Sequence, residues 1–197
     1  MKTKVSDNFY LEEFLKSDKA KSLGVEKLQS NPPEAIKQSL TYLITKTIQP
    51  VRTFLAHSFI INSGWRCKAV NDAAGSTDAS QHLKGEAADI DIDDAMLTSK
   101  SKVTKHAIVE LNTRIERITG KKPRSDVNAN YYLWAYYCLH LNEMDIDQVI
   151  HEYGSDGKPS WIHVASSVTK NRRRITVKRS GKSYEDVDLK TALMMGC

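Results

Sequence analysis

The stretch Ile146-Asp147-Gln148-Val149-Ile150-His151-Glu152-Tyr153-Gly154-Ser155-Asp156-Gly157-Lys158-Pro159-Ser160-Trp161-Ile162-His163-Val164-Ala165-Ser166 places β-branched and aromatic residues on both sides of a segment rich in turn formers. That pattern predicts two strands, Ile146 to Tyr153 and Trp161 to Ser166, paired as a hairpin. A second hairpin is expected from Arg174 to Arg179 and Ser183 to Val187, around Ser180-Gly181-Lys182. Upstream, Phe59-Ile60-Ile61-Asn62 and Ala87-Ala88-Asp89-Ile90-Asp91-Ile92 read as two more short strands. The segment between them is rich in Asn, Asp, Gly and Ser, and a structured loop of that kind is a usual carrier of function.

Helical signals dominate the first third. A short helix is expected around Leu11 to Leu15. Ile36, Leu40, Leu43, Ile44, Ile48, Val51 and Leu55 then recur at steps of three and four, the stripe of one long helix. Asn31 suits an N-cap, and Pro50 is expected to kink or split the helix. A further helix is expected from about Thr98 to Ile118, then an exposed polar stretch from Thr119 to Asn130. Tyr131 to Leu141 fits a helix or a strand equally. The fold class is α+β, with early helices packed on a mostly antiparallel sheet.

At 197 residues and 40% hydrophobic content, the chain suits one domain with a real core. No apolar run reaches the roughly 18 to 20 residues of a membrane span, and the opening Met1-Lys2-Thr3-Lys4-Val5 carries no apolar signal segment, so a cytoplasmic start is expected. Cys67, Cys138 and Cys197 match neither a disulfide framework nor a CxxC metal site, and reduced thiols are expected. The net charge of +5 favours polyanionic partners, and basic residues gather in Lys170-Asn171-Arg172-Arg173-Arg174 and at Lys178-Arg179. A charged, solvated strand edge explains that run equally well. No nucleic-acid-binding motif is present, so no specific nucleic-acid partner is expected.

Chemistry concentrates in Ser80-Gln81-His82-Leu83-Lys84-Gly85-Glu86-Ala87-Ala88-Asp89 and, 74 residues after Asp89, His163 in Trp161-Ile162-His163-Val164. A catalytic zinc takes three protein ligands and keeps a fourth position open, a need that two histidines and one aspartate meet. Gly85 permits a tight turn after His82. Strand period puts Asp91 on the same face as Asp89, roughly 7 Å further along, as the alternative ligand. Spacing alone does not choose, since a lone His or Asp is usually a surface or capping group.

The SxHxxGxAxD pattern with a late WIHV resembles the zinc D-Ala-D-Ala carboxypeptidase and phage endolysin-type metallopeptidases, which share a fold with lysostaphin-type peptidases and the Hedgehog signalling domain. Ser63-Gly64-Trp65-Arg66, Val70-Asn71, Phe9-Tyr10-Leu11-Glu12-Glu13-Phe14 and the tail from Asn171-Arg172 are similar as well. The resemblance spans nearly the whole chain except about Ser99 to Glu143. That region is longer than in such enzymes and is expected to be an insertion within a single domain, 1–197.

The resemblance makes His82, Asp89 and His163 the ligands of one zinc ion per chain. It implies a peptidase acting on bacterial peptidoglycan peptide, as a carboxypeptidase or an endopeptidase. A monomer is expected, held in the cytoplasm before release and serving as a phage lysis protein. The alternative is a non-catalytic, zinc-containing module of the same fold that binds cell wall or protein.

Many such enzymes carry a base three residues before the last His, but that position is Ser160. Glu152 is the better candidate base, because the hairpin can bring it to the face of His163; a solvated strand-end glutamate is the competing reading. Arg66 is expected near the substrate carbonyl, with a planar fork suited to oxyanion or carboxylate. Ser80 and Gln81 are placed for substrate or for the metal shell, with loop bracing an equal alternative. Trp161 is a candidate for the peptide groove, and rim packing explains it too. His57, His106, His140 and His151 are expected to be structural. The acidic group Asp91, Asp93 and Asp94 is expected to be solvated charge.

Overall fold

A computed structural model describes residues 2–197. Six strands form one sheet in the order β1-β2-β4-β3-β5-β6: β1 (Ile60–Ser63), β2 (Ala87–Asp91), β3 (Gln148–Glu152), β4 (Trp161–Ala165), β5 (Arg174–Lys178) and β6 (Tyr184–Asp186). All neighbours are antiparallel except β3 and β5, which run parallel because the chain crosses back over residues 166–173 between β4 and β5. Both expected hairpins form, and the class is α+β.

Register sorts the strands into two faces. Ala88, Ile90, Val149, His151, Ile162, Val164, Ile175 and Val177 alternate onto one face and are buried under helices. Asp89, His163, Ile150 and Thr176 form a row on the other face, with Trp161, Glu152, Lys178 and Tyr184 in the next row. A bulge in β1 between Ile61 and Ser63 restores Ser63 to the row of Asp89, a device that sheets use beside functional sites.

The early helical stripe forms as Glu34–Leu43 and Gln49–Leu55, joined by a π-helical turn over Ile44–Ile48. The stripe is thus divided just before Pro50, the second residue of Gln49–Leu55, and the widened turn accommodates the missing N–H and the ring. Asn31 is not the N-cap of this helix. Pro33 holds that place, and the Asn31 amide instead donates to the Lys27 carbonyl at the end of the short helix Glu26–Gln29.

The segment 99–143 supplies two core helices. Lys102–Thr119 is capped by the Ser101 side chain and buries Leu111 and Ile115. Ala129–Leu139 starts at an Asn128 cap and is buried at every position. Its Tyr131 hydroxyl and Trp134 indole donate to the carbonyls of Leu193 and Ala192, which ties the C-terminal helix Leu189–Met194 into the core. The polar stretch before it is exposed over 120–122 and 124–126, yet Val127 is already buried. None of the three cysteines is in a disulfide, and among the described residues no helix is long and apolar enough to cross a membrane.

Candidate metal centre

His82 sits in a single 3-10 turn, Gln81–Lys84, that ends at Gly85 with φ 67°. A β-carbon at Gly85 would lie 2.9 Å from the Ile36 carbonyl oxygen, so both conformation and space require glycine. The His82 Nδ1 stands 2.6 Å from the Gly64 carbonyl oxygen, which can only accept. That contact makes Nδ1 the donor and leaves the lone pair on Nε2, the usual arrangement behind a metal-ligating imidazole. Gly64 is itself packed against the Phe14 backbone, where a β-carbon would clash with the carbonyl oxygen.

Asp89 on β2 and His163 on β4 are direct cross-strand partners. The Asp89 Oδ1 lies 3.4 Å from His82 Nε2 and 3.0 Å from His163 Nδ1. Donor atoms of the three residues all fall within 4.8 Å of one another. A tetrahedral zinc ion at about 2.0–2.1 Å from its ligands spaces them roughly 3.3 Å apart, so the donor set fits the ion in type and spacing. Burial opposes ionisation of Asp89, but the neighbouring imidazoles of His82 and His163 outweigh it and hold the carboxyl well below the usual range. Asp91 lies on the same face but outside this cluster; its Oδ1 accepts from Asn130 and from the Ile92 backbone.

The second Asp89 oxygen accepts from Arg66 Nη2 at 2.7 Å, while Arg66 Nε donates to Ser63 Oγ at 2.9 Å. Arg66 is thus braced against the metal cluster itself, and it also lines the cleft. Glu152 pairs with Trp161 on β4, one row from His163 on the same sheet face. It is 7% exposed, and burial pushes its carboxyl up to about 7, against the opposing pull of His163, Lys178 and Arg66. Ser160 lies beyond β4, in the turn.

These residues floor a cleft of about 750 Å³. One wall is the loop of small residues Ala74 to Ser80; the other carries Arg172, Arg174 and Lys178. Trp161 lies at its edge against Tyr153, ring centroids 5.1 Å apart. Gln81 donates its amide to Asp147 at 2.7 Å and turns its oxygen toward His163. Arg172, from the basic run, reaches inward to Asp147, whereas Arg174 pairs with Asp186 and Arg179 with Asp156 and Glu185.

The sequence marks Arg172 only as part of a basic run and of the family-like tail, and it does not pair Arg172 with Asp147; an acidic residue at the start of a buried strand is the available signal.

The other acidic residues brace structure: Asp93 caps a short turn at Ala95, and Asp94 accepts from the Ala129 backbone. His140 accepts from Arg114 and lies against Tyr136, and the His106 position is exposed.

A family model described as Peptidase M15 matches residues 7–115, more than half of the chain, including Arg66, His82 and Asp89. The chain belongs to the peptidase M15 family. It is a metallopeptidase by family, and the buried His82, Asp89 and His163 cluster is suited to the zinc on which that family depends. No curated protein and no solved structure matches the chain.

Proposed function

We propose that this M15 peptidase hydrolyses a peptide bond in the bacterial cell-wall stem peptide or its crossbridge, as a D-Ala-D-Ala carboxypeptidase or an endolysin-type endopeptidase, with one zinc ion per chain held by His82, Asp89 and His163. The observation that carries this reading is the joint placement of a three-ligand set and a buried carboxyl of raised pKa on the floor of one cleft. Zinc, when bound, supplies polarisation of the scissile carbonyl and acidification of a water.

The chain's own residues divide the remaining work. Glu152, poised near neutrality, accepts the proton of the attacking water and returns it to the leaving amine. Arg66 engages one Asp89 oxygen, which leaves Oδ1 for the ion, and its fixed cation at the cleft attracts the substrate carbonyl or carboxylate. Ser80, Gln81 and Trp161 line the groove in which the peptide lies. The net charge of +5 suits the anionic polymers of a bacterial wall, which we take the protein to reach on cell lysis as a phage-type lysis enzyme.

The test is incubation of the purified protein with defined muropeptides and, separately, with casein, with and without a chelator, and mass spectrometry of the products. Chelator-sensitive cleavage of muropeptides with casein left whole is expected, and the product masses name the bond. Equal cleavage of both substrates removes the cell-wall assignment. Zinc uptake without any product favours the binding-module alternative.

A further inference from the structure

One wall of the cleft carries the cations Arg172, Arg174 and Lys178. The two arginines are already neutralised. Arg172 encloses the buried Asp147, donating through its backbone N–H at 2.7 Å and through Nε at 3.0 and 3.1 Å. Arg174 holds both oxygens of Asp186 through Nη2, each at 2.7 Å. On the floor, Arg66 commits Nη2 to Asp89 and Nε to Ser63. Lys178 differs: among the described residues no carboxylate pairs with it, although Glu152 is its register partner on β3.

The Lys178 ammonium is nonetheless held in place. It lies over the ring of Tyr184, its cross-strand partner on β6, 4.7 Å from the centroid, and donates to the Lys182 carbonyl in the hairpin turn. An ammonium has three donors, and the carbonyl takes one. Lys178 is half-buried and lines the cleft, so its charge and remaining N–H groups stand beside the site on a support that supplies no counter-ion. A cation so placed favours an anionic group brought by a ligand. β5 is two strands from β4, which is roughly 10 Å across the sheet. An extended peptide advances about 3.5 Å per residue, so one whose scissile bond lies over His82, Asp89 and His163 brings groups within about three residues of that bond into range of Lys178.

We propose that Lys178, propped on Tyr184, is a specificity residue of the cleft that binds a carboxylate of the substrate, terminal or side-chain, close to the scissile bond. The assignment rests on the peptidase reading above and names its substrate class, an acidic peptide. Lys178 and Tyr184 lie outside the matched residues 7–115, on the β5–β6 hairpin. With Nε and Nη2 of Arg66 committed to Ser63 and Asp89, Lys178 is the cation with the most donors left for a carboxylate, and Arg66 is left to the carbonyl.

The test compares wild type, Lys178→Gln and Lys178→Arg, all zinc-loaded, on one synthetic stem peptide made as the free acid, with its terminal carboxylate amidated, and with its side-chain carboxylates amidated. Wild type should cleave the free acid about 10–100-fold better in kcat/KM than the form whose recognised carboxylate is amidated. Lys178→Gln should bring that ratio close to one, and Lys178→Arg, which keeps the charge, should retain most of it. The pull of Lys178 on the Glu152 carboxyl acts on every form of the peptide and divides out of the ratio. A preference against the terminal amide alone identifies a terminal carboxylate as the bound group; a preference against the side-chain amides alone identifies a side-chain one. Equal cleavage of all forms by wild type, or a preference undiminished in Lys178→Gln, overturns the proposal, as does a preference lost equally in Lys178→Arg. If no form is hydrolysed, the peptidase reading fails, and calorimetric binding of the same peptides to the same three proteins decides the role of Lys178 by the same ratio.

Discussion

The two faces of the sheet treat the same residue type in opposite ways. His151 on β3 and His163 on β4 are both buried, at 1% and 8% exposure. His151 points into the helical core, edge-on to Trp134 at 5.7 Å, and neither of its ring nitrogens has a hydrogen-bond partner. Burial holds its pKa down at about 4, so it is a neutral filler. His163 points into the cleft, between Asp89 and Gln81. Burial silences an imidazole that lacks partners, whereas one set beside an aspartate and a second histidine is suited to holding a metal ion. The choice is made by strand register, which flips with every residue.

The largest effect that can break this comparison is at the cluster. His163→Ala, His82→Ala or Asp89→Ala should lose zinc and hydrolysis together, measured as metal content and turnover. His151→Leu and Asp91→Ala should keep both. Full zinc and activity in His82→Ala would show the site to be misplaced, and loss of zinc in Asp91→Ala would move the ligand role to that residue.

Glu152 sharpens the contrast, since it is adjacent to His151 in sequence and on the opposite face. Glu152→Gln should retain zinc and fold yet lose on the order of 10²-fold or more in kcat. Because burial raises this carboxyl to about 7 and only its ionised form accepts a proton, wild-type kcat/KM should rise as pH passes upward through about 7. A flat profile across that range, with near-normal turnover in Glu152→Gln, would remove the residue from the proton transfer.

Arg66→Lys should have a smaller effect, about tenfold in kcat/KM, because a point charge cannot bond Ser63 and Asp89 together as the guanidinium does. Unchanged kinetics would show that the planar fork is dispensable.

A further effect lies on the core face and concerns stability alone. His151 has a folded pKa of about 4 against an ordinary 6.5, so the unfolded chain takes the proton first as pH falls. Its contribution is intact above 6.5, is lost progressively between 6.5 and 4, and changes no further below that. The loss amounts to roughly 3 kcal/mol across the window. Denaturant titrations of His151→Leu should show a correspondingly shallower fall over the same range, and identical slopes would contradict the assignment.

Much of this arrangement was legible in the chain. The strands and their hairpins could be read because one-sided burial imposes alternation, and the cluster because its motif residues lie on a short loop and two strands. Ala129–Leu139 was ambiguous for the converse reason: a helix buried on every side carries no period. Pro50 marks where the helix is interrupted but not the form of the interruption, a π turn just upstream. The Gln81–Asp147–Arg172 contacts are hidden because these residues meet only through sheet register and the crossover between β4 and β5, which no local pattern encodes.

The central claim, that the cleft face of the sheet is a one-zinc peptidase centre, is tested most directly by stripping the protein with a chelator and titrating zinc back while muropeptide hydrolysis is followed. Activity should be absent in the stripped protein, rise in proportion to added zinc and level off at one equivalent per chain. Undiminished hydrolysis after stripping, or a plateau reached only at two equivalents, would contradict it.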